Sequence, residues 1–98
     1  MDSATAISRL KAHEAELRGL GIASLSIFGS TARNEARLDS DVDLLASFDR
    51  SRRIGALAFV NIEQRLGDLL GVPVDLVGDP VSQPRLRDRI ERDRLHVF

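Results

Sequence analysis

The sequence predicts an α+β domain, a small mixed β-sheet with helices packed on one face, and three observations carry that prediction. Segments whose apolar residues recur every three, four or seven positions alternate with short apolar runs, in the order helix, strand, strand, helix, strand, helix, strand. The chain has 98 residues, 43% of them hydrophobic, which suits one core and not two, so residues 1–98 are expected to form a single domain. It contains no cysteine, so packing rather than disulfide bonds must hold it together.

The first helix is expected over Ala4 to Leu20, where Ile7, Leu10, Leu17 and Leu20 form one stripe, Ser3 supplies the N-cap and Gly19 and Gly21 end the last turn. Ile22 to Phe28 reads as a strand, broken by Gly29 and Ser30. Thr31 to Glu35 has room for one helical turn, and Asn34 to Ser40 is polar enough for a loop. Val42 to Phe48 is the second strand. A charged connection, Asp49 to Arg53, leads into a long helix marked by Ile54, Ala58, Ile62, Leu66, Leu69 and Leu70 and closed by Gly71. Val72 to Val77 is the third strand, with Pro73 near its start, where the missing donor does least harm. After the turn Gly78-Asp79-Pro80, Ser82 and Pro84 open a last helix that runs to about Asp93 with Leu86 and Ile90 inward, and Leu95 to Phe98 forms a short final strand.

Composition excludes several classes of function. Fourteen Lys and Arg against fifteen Asp and Glu leave a formal charge of −1, which gives no bulk attraction to nucleic acid, and four Phe with no Tyr or Trp offer few stacking platforms for single-stranded bases. Direct nucleic-acid binding is not expected. No run approaches the roughly 18 apolar residues of a membrane span, and the N-terminus lacks a basic segment before an apolar one. A cytoplasmic location and no membrane partner are therefore expected. Lys11 is the lone lysine among the basic residues; the arginines favour bidentate contacts to carboxylate or phosphate. The run Arg85, Arg87, Arg89, Arg92 and Arg94, interleaved with Asp88, Glu91 and Asp93, reads mainly as a solvated helix face, with partner or RNA contact as the alternative. His13 and His96 lack metal-ligand spacing, and Phe28, Phe48, Phe59 and Phe98 read as core.

The chemistry is concentrated in Phe28-Gly29-Ser30 and, ten residues later, Asp41-Val42-Asp43-Leu44-Leu45. Residues two apart on a strand share a face at about 6.6 Å, so Asp41 and Asp43 converge and repel. A divalent cation relieves that conflict, and Mg²⁺ accepts a few carboxylates together with water and substrate phosphates. Asp75 is one acid inside the apolar strand Val74-Asp75-Leu76-Val77. Beside the Asp41 strand it could bind a second metal and take a proton from an attacking hydroxyl; the alternatives are a solvent-facing edge residue or the partner of an arginine. Gly29 and Ser30 form a turn able to present backbone donors and a hydroxyl to a phosphate. Arg33, one short turn on, is placed to reach terminal phosphates, whereas Arg37 pairs with substrate or with Glu35 or Asp39.

With these residues in hand, the chain resembles the minimal nucleotidyltransferases of the DNA polymerase β superfamily. Their signature is a hydrophobic residue, Gly, Ser, about ten residues, Asp-x-Asp and a later strand bearing a third acid. Phe28, Gly29, Ser30, Asp41, Asp43 and Asp75 fill those places. Where relatives carry Gly between Arg and Glu this chain has Asn34, which tolerates a left-handed backbone, so the turn is expected to persist.

The resemblance implies transfer of AMP from ATP to an acceptor hydroxyl, with one or two Mg²⁺ ions and release of pyrophosphate. Asp41, Asp43 and Asp75 would be the catalytic and metal-binding residues, and Gly29, Ser30 and Arg33 would bind the nucleotide. It further implies an antitoxin that modifies a tyrosine of a helical HEPN ribonuclease toxin. Fewer than about 25 residues follow the catalytic strands, too few for a separate acceptor-binding domain, so a partner protein would bring the acceptor. Two other functions compete: a non-catalytic module that neutralises its partner by masking it, and a nucleotide-responsive binding protein without transfer.

Overall fold

The computed structural model describes residues 1–37 and 40–98. The expected α+β class is observed. One four-stranded mixed sheet has the order β3-β2-β1-β4, built from β1 (Ile22–Phe28), β2 (Val42–Phe48), β3 (Val74–Gly78) and β4 (Leu95–His96). β1 pairs antiparallel with β2 and with β4, while β2 and β3 run parallel. Among the described residues, five helices accompany it: α1 (Ser3–Ala12), α2 (Glu14–Gly19), α3 (Gly29–Ala32), α4 (Ala56–Leu70) and α5 (Pro84–Asp93).

The single N-terminal helix expected from the apolar stripe is two. It breaks at His13, whose backbone (φ −112°, ψ 20°) leaves the helical region. Leu10 and Leu17 nevertheless both reach the core, because the break preserves their common face. The N-cap is Asp2, not Ser3: its carboxylate accepts the Thr5 N–H at 2.7 Å. Leu20, counted in the stripe, is exposed. α4 buries Ile62, Leu66 and Leu70 and ends on Gly71 in the left-handed region (φ 74°), as its sequence predicts. The third strand begins at Val74 rather than Val72, and Pro84 opens α5 after Gln83, not Ser82. The regular ladder of β4 stops at His96, yet the Val97 N–H and the Phe98 carbonyl still bond to Leu25, so the expected last strand through Phe98 is tied to the sheet.

Cross-strand pairing sorts the side chains onto two faces. Leu25, Ile27, Val42, Leu44, Ala46 and Leu76 point one way and form the main core with Ala6, Leu10, Leu17, Ile62, Leu66 and Leu70 from α1, α2 and α4. Their neighbours Phe28, Asp43, Leu45, Asp75 and Val77 point the other way. There a smaller cluster joins Phe28 and Leu45 to Ile90 of α5, with Val77, Val81 and Leu86 against it. The expectation that helices pack on one face therefore holds for the main core, and α5 departs from it. An apolar residue follows Asp43 at the next position on that face, and the chain covers it with a short amphipathic helix rather than leave it wet.

Edges are protected by side chains. Glu63 of α4 accepts the outward Leu76 N–H of edge strand β3 at 2.9 Å. Phe48 and Phe59 meet edge to face at 6.0 Å, and Phe28 and Phe98 are buried, so the four aromatics are core as expected.

Candidate active site

The site forms where β1 ends. Phe28 lies opposite Asp43 in the antiparallel register, and Asp43 lies opposite Asp75 in the parallel one. Residues paired in register project to the same face, so the two acids stand side by side on neighbouring strands. The parallel pairing that the sequence could only assume is thus observed. Asp41 precedes β2 by one residue and is exposed, two positions from Asp43 on the same strand direction.

Gly29 turns the chain away from β1 with φ +75°, and a Cβ there would collide with the Asp43 carboxylate. Only glycine satisfies both demands, a left-handed backbone and a carboxylate packed on its Cα. The helical turn expected from Thr31 begins two residues earlier, at Gly29, so Gly29, Ser30 and Thr31 all belong to α3. Glu35 N–H returns to the Ser30 carbonyl at 2.8 Å, closing the loop behind Ser30. Asn34 takes φ 58°, the left-handed conformation anticipated for it, and its side-chain oxygen accepts the Ser3 N–H at 2.8 Å.

Electrostatically, Asp43 is the strained member. Burial pushes its carboxyl above the ordinary carboxylate value, and the charges of Asp75 and Asp41 push the same way. The guanidinium groups of Arg89 and Arg33 oppose that rise. Like charges gathered on a half-buried ledge are the arrangement that a hard divalent cation neutralises, and Mg²⁺ needs only one or two carboxylates when water and phosphate complete its shell. Among the described residues, no three His, Cys, Asp or Glu side chains already surround a common ion position. The donor chemistry fits Mg²⁺, with Asp43 half-buried and Asp41 and Asp75 exposed on either side of it.

Arg33 does reach the site but is engaged there. Its Nε donates to Glu35 at 3.1 Å and its Nη1 to Asp93 of α5 at 2.6 Å. Arg37 makes no ion pair with Glu35, which Arg33 has taken; the alternative partner, Asp39, lies outside the described residues. The sequence did not single out Arg89. Its signal was available in α5, where Arg89 sits next to the inward Ile90 and four residues before Asp93, but the surrounding charges made the helix read as solvated.

Two surface hollows, of about 500 and 710 Å³, lie elsewhere: one along α4 and the start of β3, from Glu63 to Val74, the other near Ile22 and Phe48 at the opposite end of the sheet. At the acids themselves, Asp41 and Asp75 are exposed and Asp43 is half-buried, so the site is an open ledge. His13 sits 3.7 Å from Glu16, remote in sequence and element from the acids.

A family model described as nucleotidyltransferase domain matches residues 9–97. The protein adenylyltransferase MntA of Thermococcus cleftensis is 45% identical over 91 residues, covering 92% of this chain and 90% of that protein. A solved minimal nucleotidyltransferase superposes with a TM-score of 0.76 at 38% identity over 97% of this chain and 95% of its own. A chain from the complex of a tri-AMPylated HEPN toxin with an MNT antitoxin of Shewanella oneidensis shares the fold, with a TM-score of 0.66 at 17% identity over 94% of this chain and 71% of that one.

Proposed function

The chain belongs to the nucleotidyltransferase domain family, and from that membership we propose that it transfers AMP from ATP to a hydroxyl, a tyrosine, of a HEPN ribonuclease toxin and so acts as the antitoxin. The observation that carries this reading is the register of Asp43 and Asp75 on parallel neighbours, with Gly29 packed against the Asp43 carboxylate. It is supported by the adenylyltransferase relative and by the fold shared with an antitoxin complex.

In this mechanism Asp41, Asp43 and Asp75 would hold one or two Mg²⁺ ions, which supply charge neutralisation for the triphosphate and its leaving group. The Gly29 turn and the Ser30 hydroxyl hold the phosphates, and Arg33 exchanges a carboxylate partner for a terminal phosphate oxygen. Asp75, exposed at the ledge, accepts the proton of the incoming hydroxyl. A bond then forms from that oxygen to the α-phosphorus as the bond to pyrophosphate breaks. The open ledge leaves the acceptor to be presented by the partner protein. We assign residues 1–98 as one catalytic domain and place the reaction in the cytoplasm; no helix among the described residues is long and apolar enough to cross a membrane.

The experiment mixes the protein with Mg²⁺, a HEPN ribonuclease toxin and ATP labelled at the α- or the γ-phosphate. The α-label is expected on the partner and the γ-label in pyrophosphate. Neutralisation of the partner by Asp43→Asn as complete as by the unaltered chain would replace transfer with masking.

A further inference from the structure

The phosphate-binding cation named by the sequence, Arg33, is shared between Glu35 and Asp93, and three more carboxylates stand nearby. A triphosphate adds further negative charge, so the ledge needs a cation that is not already neutralised. α5 carries one. Ile90 is buried against Phe28 and Leu45, and Phe28 is the direct cross-strand neighbour of Asp43. Asp93 reaches from the same helix to Arg33 at the end of α3, and Arg94 Nε donates to Ser26 at 3.0 Å, so the C-terminal end of α5 is held at three points, two on the sheet and one on α3.

Arg89 lies three residues after half-buried Leu86 and four before Asp93, which puts it on the flank of α5 from which Asp93 reaches Arg33, beside the turn that Gly29 and Ser30 begin. It is exposed, and none of the ion pairs among the described residues involves it. Arg87 and Arg94 lie toward the opposite flank, and Arg94 is spent on Ser26.

Resting on the nucleotidyl-transfer reading, we propose that Arg89 is a second nucleotide-binding residue, whose guanidinium clasps the β- and γ-phosphates of ATP from above the Gly29–Ser30 turn. The Arg33–Asp93 pair then has a further role, holding α5 so that Arg89 overhangs the ledge. A fork of donors on a helix already docked to the sheet loses little freedom on engaging a phosphate, which favours arginine over lysine there.

The test measures direct binding of an ATP analogue with a non-cleavable α,β bridge, in Mg²⁺, and of AMP, to the unaltered protein, Arg89→Gln, Arg89→Lys and Arg87→Gln. Charge-assisted hydrogen bonds lead us to expect Arg89→Gln to bind the triphosphate about tenfold or more weakly, with AMP affinity and melting temperature unchanged. Arg89→Lys should fall between, and Arg87→Gln should stay within about twofold, as expected of a solvated charge. Triphosphate binding by Arg89→Gln equal to that of Arg87→Gln, or an equal loss for AMP, overturns the role of Arg89 while leaving nucleotidyl transfer standing. Failure of the unaltered protein to bind any Mg²⁺-nucleotide overturns both.

Discussion

The two faces of this sheet are made from alternate residues of the same strands, yet they answer to different constraints. Leu44, facing α1 and α4, is fully buried in a continuous apolar core; Asp43, one residue earlier and on the other face, is a half-buried carboxylate beside a second one. The first face is stabilised by its burial, whereas the second holds repulsion that lowers stability until a ligand neutralises it. Stability and chemistry are thus separated by the pleat of a strand, and substitutions on the two faces should affect different measurements.

The largest effect expected is on chemistry. Asp43→Asn should lower transfer by about 10³-fold or more, because metal and phosphate charge stabilisation supplies several kcal/mol of transition-state binding. The melting temperature should not fall. A variant retaining a tenth of the rate would mean that Asp43 is not a ligand.

Next comes the opposite face. Leu66→Ala, deep in the main core at 0% exposure, should cost about 2–5 kcal/mol in denaturant unfolding, while transfer per folded molecule stays the same well below the new midpoint. Loss of specific activity in the folded fraction would break the separation between the two faces.

A pair of glycines sharpens the comparison. Gly29 and Gly71 have nearly the same φ, +75° and +74°, but an added Cβ meets the Asp43 carboxylate at the first and nothing within 4 Å at the second. Gly71→Ala should cost about 1 kcal/mol for the left-handed backbone alone. Gly29→Ala should cost more, about 1–3 kcal/mol, and should also displace Asp43 and suppress transfer. Equal unfolding free energies for the two variants would count against the close packing at Gly29.

The smallest effect concerns pH. The Asp43 carboxyl is raised in the folded state, chiefly by burial and then by Asp75, so folding favours its protonated form. Its contribution is fully present below the ordinary aspartate value and is lost as pH rises through the raised one. In chelator at neutral pH, Asp43→Asn should therefore stabilise the protein slightly, by less than about 1 kcal/mol since the group is only partly buried, and the gain should vanish below about pH 3.8. Asp41→Asn, which removes one of the charges acting on Asp43, should be neutral or stabilising under the same conditions, and a clear loss in a thermal melt would make Asp41 structural.

Much of this molecule could be read before any coordinates. β1 and β2 have the predicted bounds, Gly71 caps α4, Asn34 is left-handed, and Gly29 makes the turn that the motif requires. These features depend on neighbours along the chain, where periodicity and glycine act directly. The break at His13, the cap at Asp2 and the early start of α3 were missed because several adjacent residues could serve each terminus equally well in the sequence alone.

What the sequence determined was therefore local: which segments are helix or strand, which residues face inward, and which residue types could carry phosphate chemistry. What only the tertiary structure decided was adjacency between distant segments. It put Asp75 in register with Asp43, occupied Arg33 with Asp93 sixty residues away, and brought α5 over the second face with Ile90 against Phe28 and Leu45. The physical reason is that strand register and helix docking are settled by burial summed over the whole core, a quantity no stretch of neighbouring residues contains.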